Sequence, residues 1–156
     1  MRKGVAAAGI AGSALVLALS ANAAAPSRAT AELSSAKAGA RPVAVTLRFP
    51  ALLVCGRLRG TVSVVFPRAA GLPRRIAASG VRLAGEPAAR VAVSRRSVAV
   101  TAASVGGVTC HSMRLADVIL TFTRGAELRN PSVPGRYSIG IAYGTTRSTA
   151  LVDIRR

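Results

Sequence analysis

The chain has no tryptophan, one histidine, two cysteines and only five acidic residues against 22 basic ones. Each scarcity excludes something. The aromatics are Phe49, Phe66, Phe122, Tyr137 and Tyr143, so the arginines have no interleaved platform on which bases could stack. Nucleic acid is therefore not the expected partner. Glu32, Glu86, Asp117, Glu127 and Asp153 are scattered along the chain, and no two lie close enough in sequence to suggest a glycosidase carboxylate pair. With His111 alone, a Ser-His-Asp arrangement would have to use it, oriented by Asp117 or Asp153. Its neighbour Ser112 would point to the other face of an extended strand. No nucleophile elbow or Gly-rich oxyanion motif is present, and the chain is not expected to be an enzyme.

Long apolar runs are also missing, except at the start. Met1-Arg2-Lys3 is followed by uncharged residues 5–19 and by Ala21-Asn22-Ala23, the pattern of a secretory signal peptide over residues 1–23 with cleavage after Ala23 or Ala24. The alternative is an uncleaved anchor, because residues 5–25 come close to the length of a bilayer span. No cysteine near the cleavage site offers a lipid attachment, and no second transmembrane segment is expected. The protein is read as secreted, extracellular or associated with a cell envelope. Cleavage removes Arg2 and Lys3, leaving 22 − 2 = 20 basic and 5 acidic residues, a net charge of +15. Near-exclusive use of arginine, with much Ala, Val and Gly, matches codon bias in a GC-rich genome. The scarcity of acids is not explained that way.

In an exported chain, Cys55 and Cys110 read as a disulfide. Residues 24–41 are small, polar and turn-prone and read as a flexible leader. From residue 42 to 156 the pattern is short alternation, the signature of half-buried strands. Val43, Val45 and Leu47 alternate with polar neighbours, as do Val62, Val64 and Phe66. Similar runs surround Val81, Val91, Val98, Val118, Ile139 and Val152. Turn signals at Gly60, Gly71, Gly85, Gly106-Gly107 and Asn130-Pro131 separate them, and residues 73–79 offer one helical turn. Seven or eight such strands predict an all-β, antiparallel sandwich or barrel in a single domain.

Within residues 62–152 an ordered set of short pieces stands out. These are Val64-Val65-Phe66-Pro67, Leu72-Pro73, Ser79-Gly80-Val81-Arg82-Leu83-Ala84-Gly85 and Val91-Ala92-Val93-Ser94, then Gly125-Ala126-Glu127-Leu128-Arg129-Asn130-Pro131 and Pro134-Gly135-Arg136-Tyr137. The set resembles the immunoglobulin-like repeat modules of bacterial cell-surface and S-layer-associated proteins. That resemblance implies an Ig-like antiparallel Greek-key sandwich with a structural or adhesive role and no catalytic residues. The chain departs from those modules in standing alone, in carrying two cysteines and in being strongly basic. Tyr137 is expected to hydrogen-bond back to the corner before its strand.

The function expected is that of a non-enzymatic module holding anionic wall polymers or glycans through its positive surface. Arg57, Arg59, Arg74 and Arg75, all in turns, are the candidate contacts. No cofactor is expected. Two alternatives stay open. Cys110-His111-Ser112-Met113 places soft ligand types together, so His111 and Met113 could serve a copper-handling protein. A blue-copper site, however, needs two histidines and a free thiolate. The other alternative is a small hydrolase or inhibitor whose site forms only in three dimensions. The sequence names no ligand or oligomeric state.

Overall fold

The structure is a computed structural model that describes residues 28–103 and 110–156. The signal-peptide assignment and the Gly106-Gly107 turn lie outside the described residues. Among the described residues ten strands are formed: β1 Thr30–Leu33, β2 Val45–Val54, β3 Thr61–Val65, β4 Val81–Leu83, β5 Glu86–Pro87, β6 Arg90–Val93, β7 Ser97–Thr101, β8 Met113–Phe122, β9 Gly135–Tyr143 and β10 Thr146–Ile154. They make two five-stranded sheets, ordered β1-β2-β8-β4-β5 and β10-β9-β3-β7-β6, and every pairing is antiparallel. Among the described residues no helix is long and apolar enough to cross a membrane.

Alternation explains the layers. Val45, Leu47, Phe49, Ala51 and Leu53 of β2 are buried while Arg48 and Leu52 between them are exposed. Val118, Leu120 and Phe122 of β8 join them from the neighbouring strand. The opposite layer supplies Val62 and Val64, Val98 and Val100, Ile139 and Ile141, and Ala150, Val152 and Ile154. Aliphatic side chains fill most of this core. Its aromatic contact is Phe66 edge-on to Phe122, with centroids 5.6 Å apart and planes at 73°. Such a geometry suits the ring quadrupoles.

Four expectations are corrected. Residues from Thr30 onward are not a flexible leader, because β1 pairs with β2 from Thr30 opposite Arg48 to Leu33 opposite Val45. Four residues with only Ala31 and Leu33 turned inward give too short an alternation to be read as a strand. The first strand of the alternating region runs on to Val54, past Phe49-Pro50. Proline is tolerated there because β1 ends opposite Arg48, so the edge of β2 beyond it is free and the missing N–H deprives no neighbour. Residues 73–79 do not make the expected helical turn; a 3-10 turn occupies Ala78–Gly80 and another Arg124–Ala126. Strands β1 and β5 raise the number of strands above the expected seven or eight.

Candidate functional site

The register divides the sandwich into two ends. At one, β2 begins, β3 finishes and the segments 34–44, 66–80, 94–96 and 123–134 converge. Asn130, buried to 5% exposure, ties the last of these to the first. Its Nδ2 donates to the carbonyls of Ser35 at 2.8 Å and Lys37 at 2.9 Å, and its backbone N–H donates to Ala40. Gly39 donates to the carbonyl of Pro131, and Ala38 to that of Arg155. Gly71 and Arg129 exchange two backbone hydrogen bonds of 3.0 Å each. A Cβ at position 71 would lie 2.9 Å from that of Arg129, so only glycine permits this approach. Tyr137 Oη donates to the carbonyl of Val133 at 2.8 Å, the corner hydrogen bond expected from the sequence.

With their backbones pressed together, these loops send their long side chains outward. Lys37, Arg41, Arg68, Arg74 and Arg75 are exposed on the first loops. Arg95, Arg96, Arg124 and Arg129 follow on the next, then Arg136, Arg155 and Arg156 at the last two strands. Glu127 and Asp153 stand among them and each is already engaged. Arg41 Nη2 lies 3.4 Å from Glu127 Oε2 and Arg136 Nε lies 2.9 Å from Asp153 Oδ1. The hydrogen bond from Arg136 holds the Asp153 carboxyl below the ordinary aspartate range, and the same bond raises the guanidinium. This end is therefore a broad, strongly positive surface.

The other end is built differently. Val54 and Arg57 close a two-residue turn through mutual backbone bonds of 2.9 and 3.1 Å. Cys55 and Gly56 both take left-handed φ values, 56° and 73°, as a hairpin of this length requires. Cys55 is bonded to Cys110 with S–S 2.02 Å, confirming the expected disulfide. Tyr143 Oη donates to the carbonyl of Arg59 at 2.7 Å and approaches that of Leu52 at 3.4 Å, tying the two sheets together. Leu52, Met113 and Leu115 are exposed on the outer side of β2 and β8, with Arg57 and Arg59 exposed in the adjoining turn.

The residues singled out by the sequence do not gather in one place. Arg57 and Arg59 lie at the disulfide end; Arg74 and Arg75 lie at the other, among the convergent loops. All four are exposed. His111 and Met113 are exposed beside the disulfide. With both cysteines oxidised there is no thiolate for a blue-copper site. No group of three His, Cys, Asp or Glu side chains able to hold a metal occurs among the described residues. Asp153 is bonded to Arg136 at the end away from His111, so it does not orient that imidazole. Asp117 lies on the outer face of β8, opposite Pro50. Arg41, Arg95, Arg96, Arg124 and Arg129 were not anticipated as a group, because they come from loops far apart in sequence and meet only through the topology.

No family model matches the chain, and no curated protein matches it. Among solved structures the fold is similar to that in the crystal structure of BslA, a bacterial hydrophobin. The identity is 12% and the TM-score 0.50, over 82% of this chain and 97% of that one.

Proposed function

We propose that this is a secreted, non-enzymatic module of the immunoglobulin-like kind that holds anionic cell-envelope or extracellular polymers on its basic end. The observation that carries this reading is the convergence of arginine-bearing loops at one end, held by the Asn130 bonds to residues 35–40, the Gly71–Arg129 pair and the Phe66–Arg96 bond, with Glu127 and Asp153 there already paired. Net positive charge attracts a phosphate- or carboxylate-bearing polymer without any sequence motif. Clustering at one end adds several simultaneous contacts. The contacts first expected at Arg57 and Arg59 are reassigned: Arg74 and Arg75, with Arg95 and Arg96, are the working set. The test is recovery of the tagged protein from intact cells of origin in salt washes, with Arg74→Glu, Arg75→Glu, Arg95→Glu and Arg96→Glu combined as the variant. Release that rises with ionic strength, and loss of retention in the variant, is expected. Recovery of both proteins in the medium without salt would overturn the assignment.

A second reading is favoured by the exposed Leu52, Met113 and Leu115 together with the likeness in fold to a protein titled a bacterial hydrophobin. In it the molecule is an amphiphile that adsorbs at an apolar–aqueous boundary. A fall in the surface tension of a dilute solution, weakened by Leu52→Ser with Leu115→Ser, is the expected outcome. An unchanged surface tension for the parent protein would remove this reading.

A further inference from the structure

On the outer face of the first sheet, Leu52 of β2 stands directly opposite Leu115 of β8, and Val54 opposite Met113. Leu52, Met113, Leu115 and Ile119 are 45%, 65%, 61% and 39% exposed. Side chains of this size on a solvent-facing sheet surface mark a contact face. Arg48 is opposite Ile119 on this face, Arg57 and Arg59 occupy the adjoining turn, and one carboxylate, Asp117 opposite Pro50, stands between Leu115 and Ile119. Alongside runs a groove of ≈ 460 Å³, with Leu52 and Val54 on one side and Arg59, Thr61, Thr145 and Thr146 on the other.

We infer that this face docks on a lipid surface bearing anionic headgroups. Leu52, Leu115 and Met113 enter the boundary between headgroups and acyl chains, the arginines meet the phosphates, and the groove takes a headgroup beside an apolar wall. The inference deepens the amphiphile reading and rests on it; it is independent of the polymer-binding end. Charge complementarity selects this partner over the others. A second copy of the chain would set these arginines against their own equivalents. A stable dimer also buries ~800 Å² per partner, more than these few side chains supply. A neutral apolar phase would leave the arginines without counter-charge, whereas apolar insertion and anionic headgroups reinforce each other.

The test is flotation of the oxidised protein with phosphatidylcholine vesicles and with vesicles of phosphatidylcholine and phosphatidylglycerol. Preferential binding to the anionic vesicles is expected, and Leu52→Ser with Leu115→Ser should weaken it by at least about tenfold. Both positions are exposed, so the fold should persist, which circular dichroism and an intact disulfide verify. Met113→Ser with Ile119→Ser provides a second pair. The Arg74, Arg75, Arg95 and Arg96 reversal should leave flotation largely intact while polymer retention is lost. Equal flotation with neutral vesicles would overturn the inference, as would flotation abolished by that reversal and untouched by both apolar pairs. A dimer in sedimentation that dissociates on Leu52→Ser with Leu115→Ser would also overturn it, making a second copy the occupant. Surface activity retained without vesicle binding would sink the lipid partner and leave the amphiphile reading standing; loss of both would sink both.

Discussion

The two ends of the sandwich meet the same requirement by different means. Each must join five-stranded sheets through loops whose backbone polar groups cannot be left buried and unpaired. At the basic end the solution is a web of backbone hydrogen bonds centred on Asn130. At the apolar end it is the Cys55–Cys110 bond, a tight turn and the reach of Tyr143 across to the other sheet. The web consumes backbone groups and leaves side chains free to project, which suits a surface of arginines. The covalent staple secures the other end through side chains, and Leu52, Met113 and Leu115 stand exposed there beside Arg57 and Arg59.

The largest test of that contrast is removal of the staple. Cys55→Ser with Cys110→Ser opens a loop of 55 residues, worth about 4 kcal/mol in the chain-entropy model. Urea unfolding should register the loss. Hydrogen exchange should show protection falling first around residues 54–57 and 112–115, with the Asn130 web holding. Uniform loss of protection would mean that the two ends are not separately secured. Next in size is Asn130→Ala, which strands the carbonyls of Ser35 and Lys37. A cost of about 2 kcal/mol is expected, with exchange rising at residues 36–40 and the disulfide end unchanged. Smaller still are the two tyrosine hydroxyls. Tyr137→Phe and Tyr143→Phe should each cost about 1 kcal/mol, the first loosening the corner at Val133, the second the junction of Leu52 and Arg59.

How much of this was readable beforehand follows from the same physics. Alternation such as Val62-Ser63-Val64 identifies a strand because one face is buried, and most of the layer structure was legible on that ground. The disulfide and the Tyr137 hydrogen bond were also legible, since each rests on residue type and local spacing. The far half of β2 was not. The alternation around Val43, Val45 and Leu47 stops at Arg48, and the strand continues past Pro50 because the shortness of β1 makes the proline harmless there. The apolar face was hidden for a related reason. Residues 51–54, Ala-Leu-Leu-Val, are apolar on both faces, and a sequence pattern assigns such residues to the core. Only the register shows that Leu52 and Leu115 face outward together. The basic end was hidden by topology: Arg41, Arg74, Arg95 and Arg129 are separated by dozens of residues and converge because strands from both sheets terminate at one place.

The smallest expected effect bears on whether the basic end needs its internal ion pairs. Arg136 and Asp153 face each other across β9 and β10, on the exposed side of the ladder, and their 2.9 Å contact lowers the Asp153 pKa. A carboxyl whose folded pKa is depressed adds stability above its unfolded pKa. That contribution is lost as pH falls through the folded value. The pair should therefore stabilise slightly at neutral pH and vanish in acid. Solvent screens an exposed pair of this kind, so the effect on unfolding should be near the limit of detection. An NMR titration reads it directly: Asp153 should titrate below the ordinary range in the parent protein and return toward it in Arg136→Gln. If the carboxyl instead titrates normally in both, the pair is not formed in solution. Asp153 would then stand as a free negative charge among the arginines, and the positive field of that end would be weaker than its geometry implies.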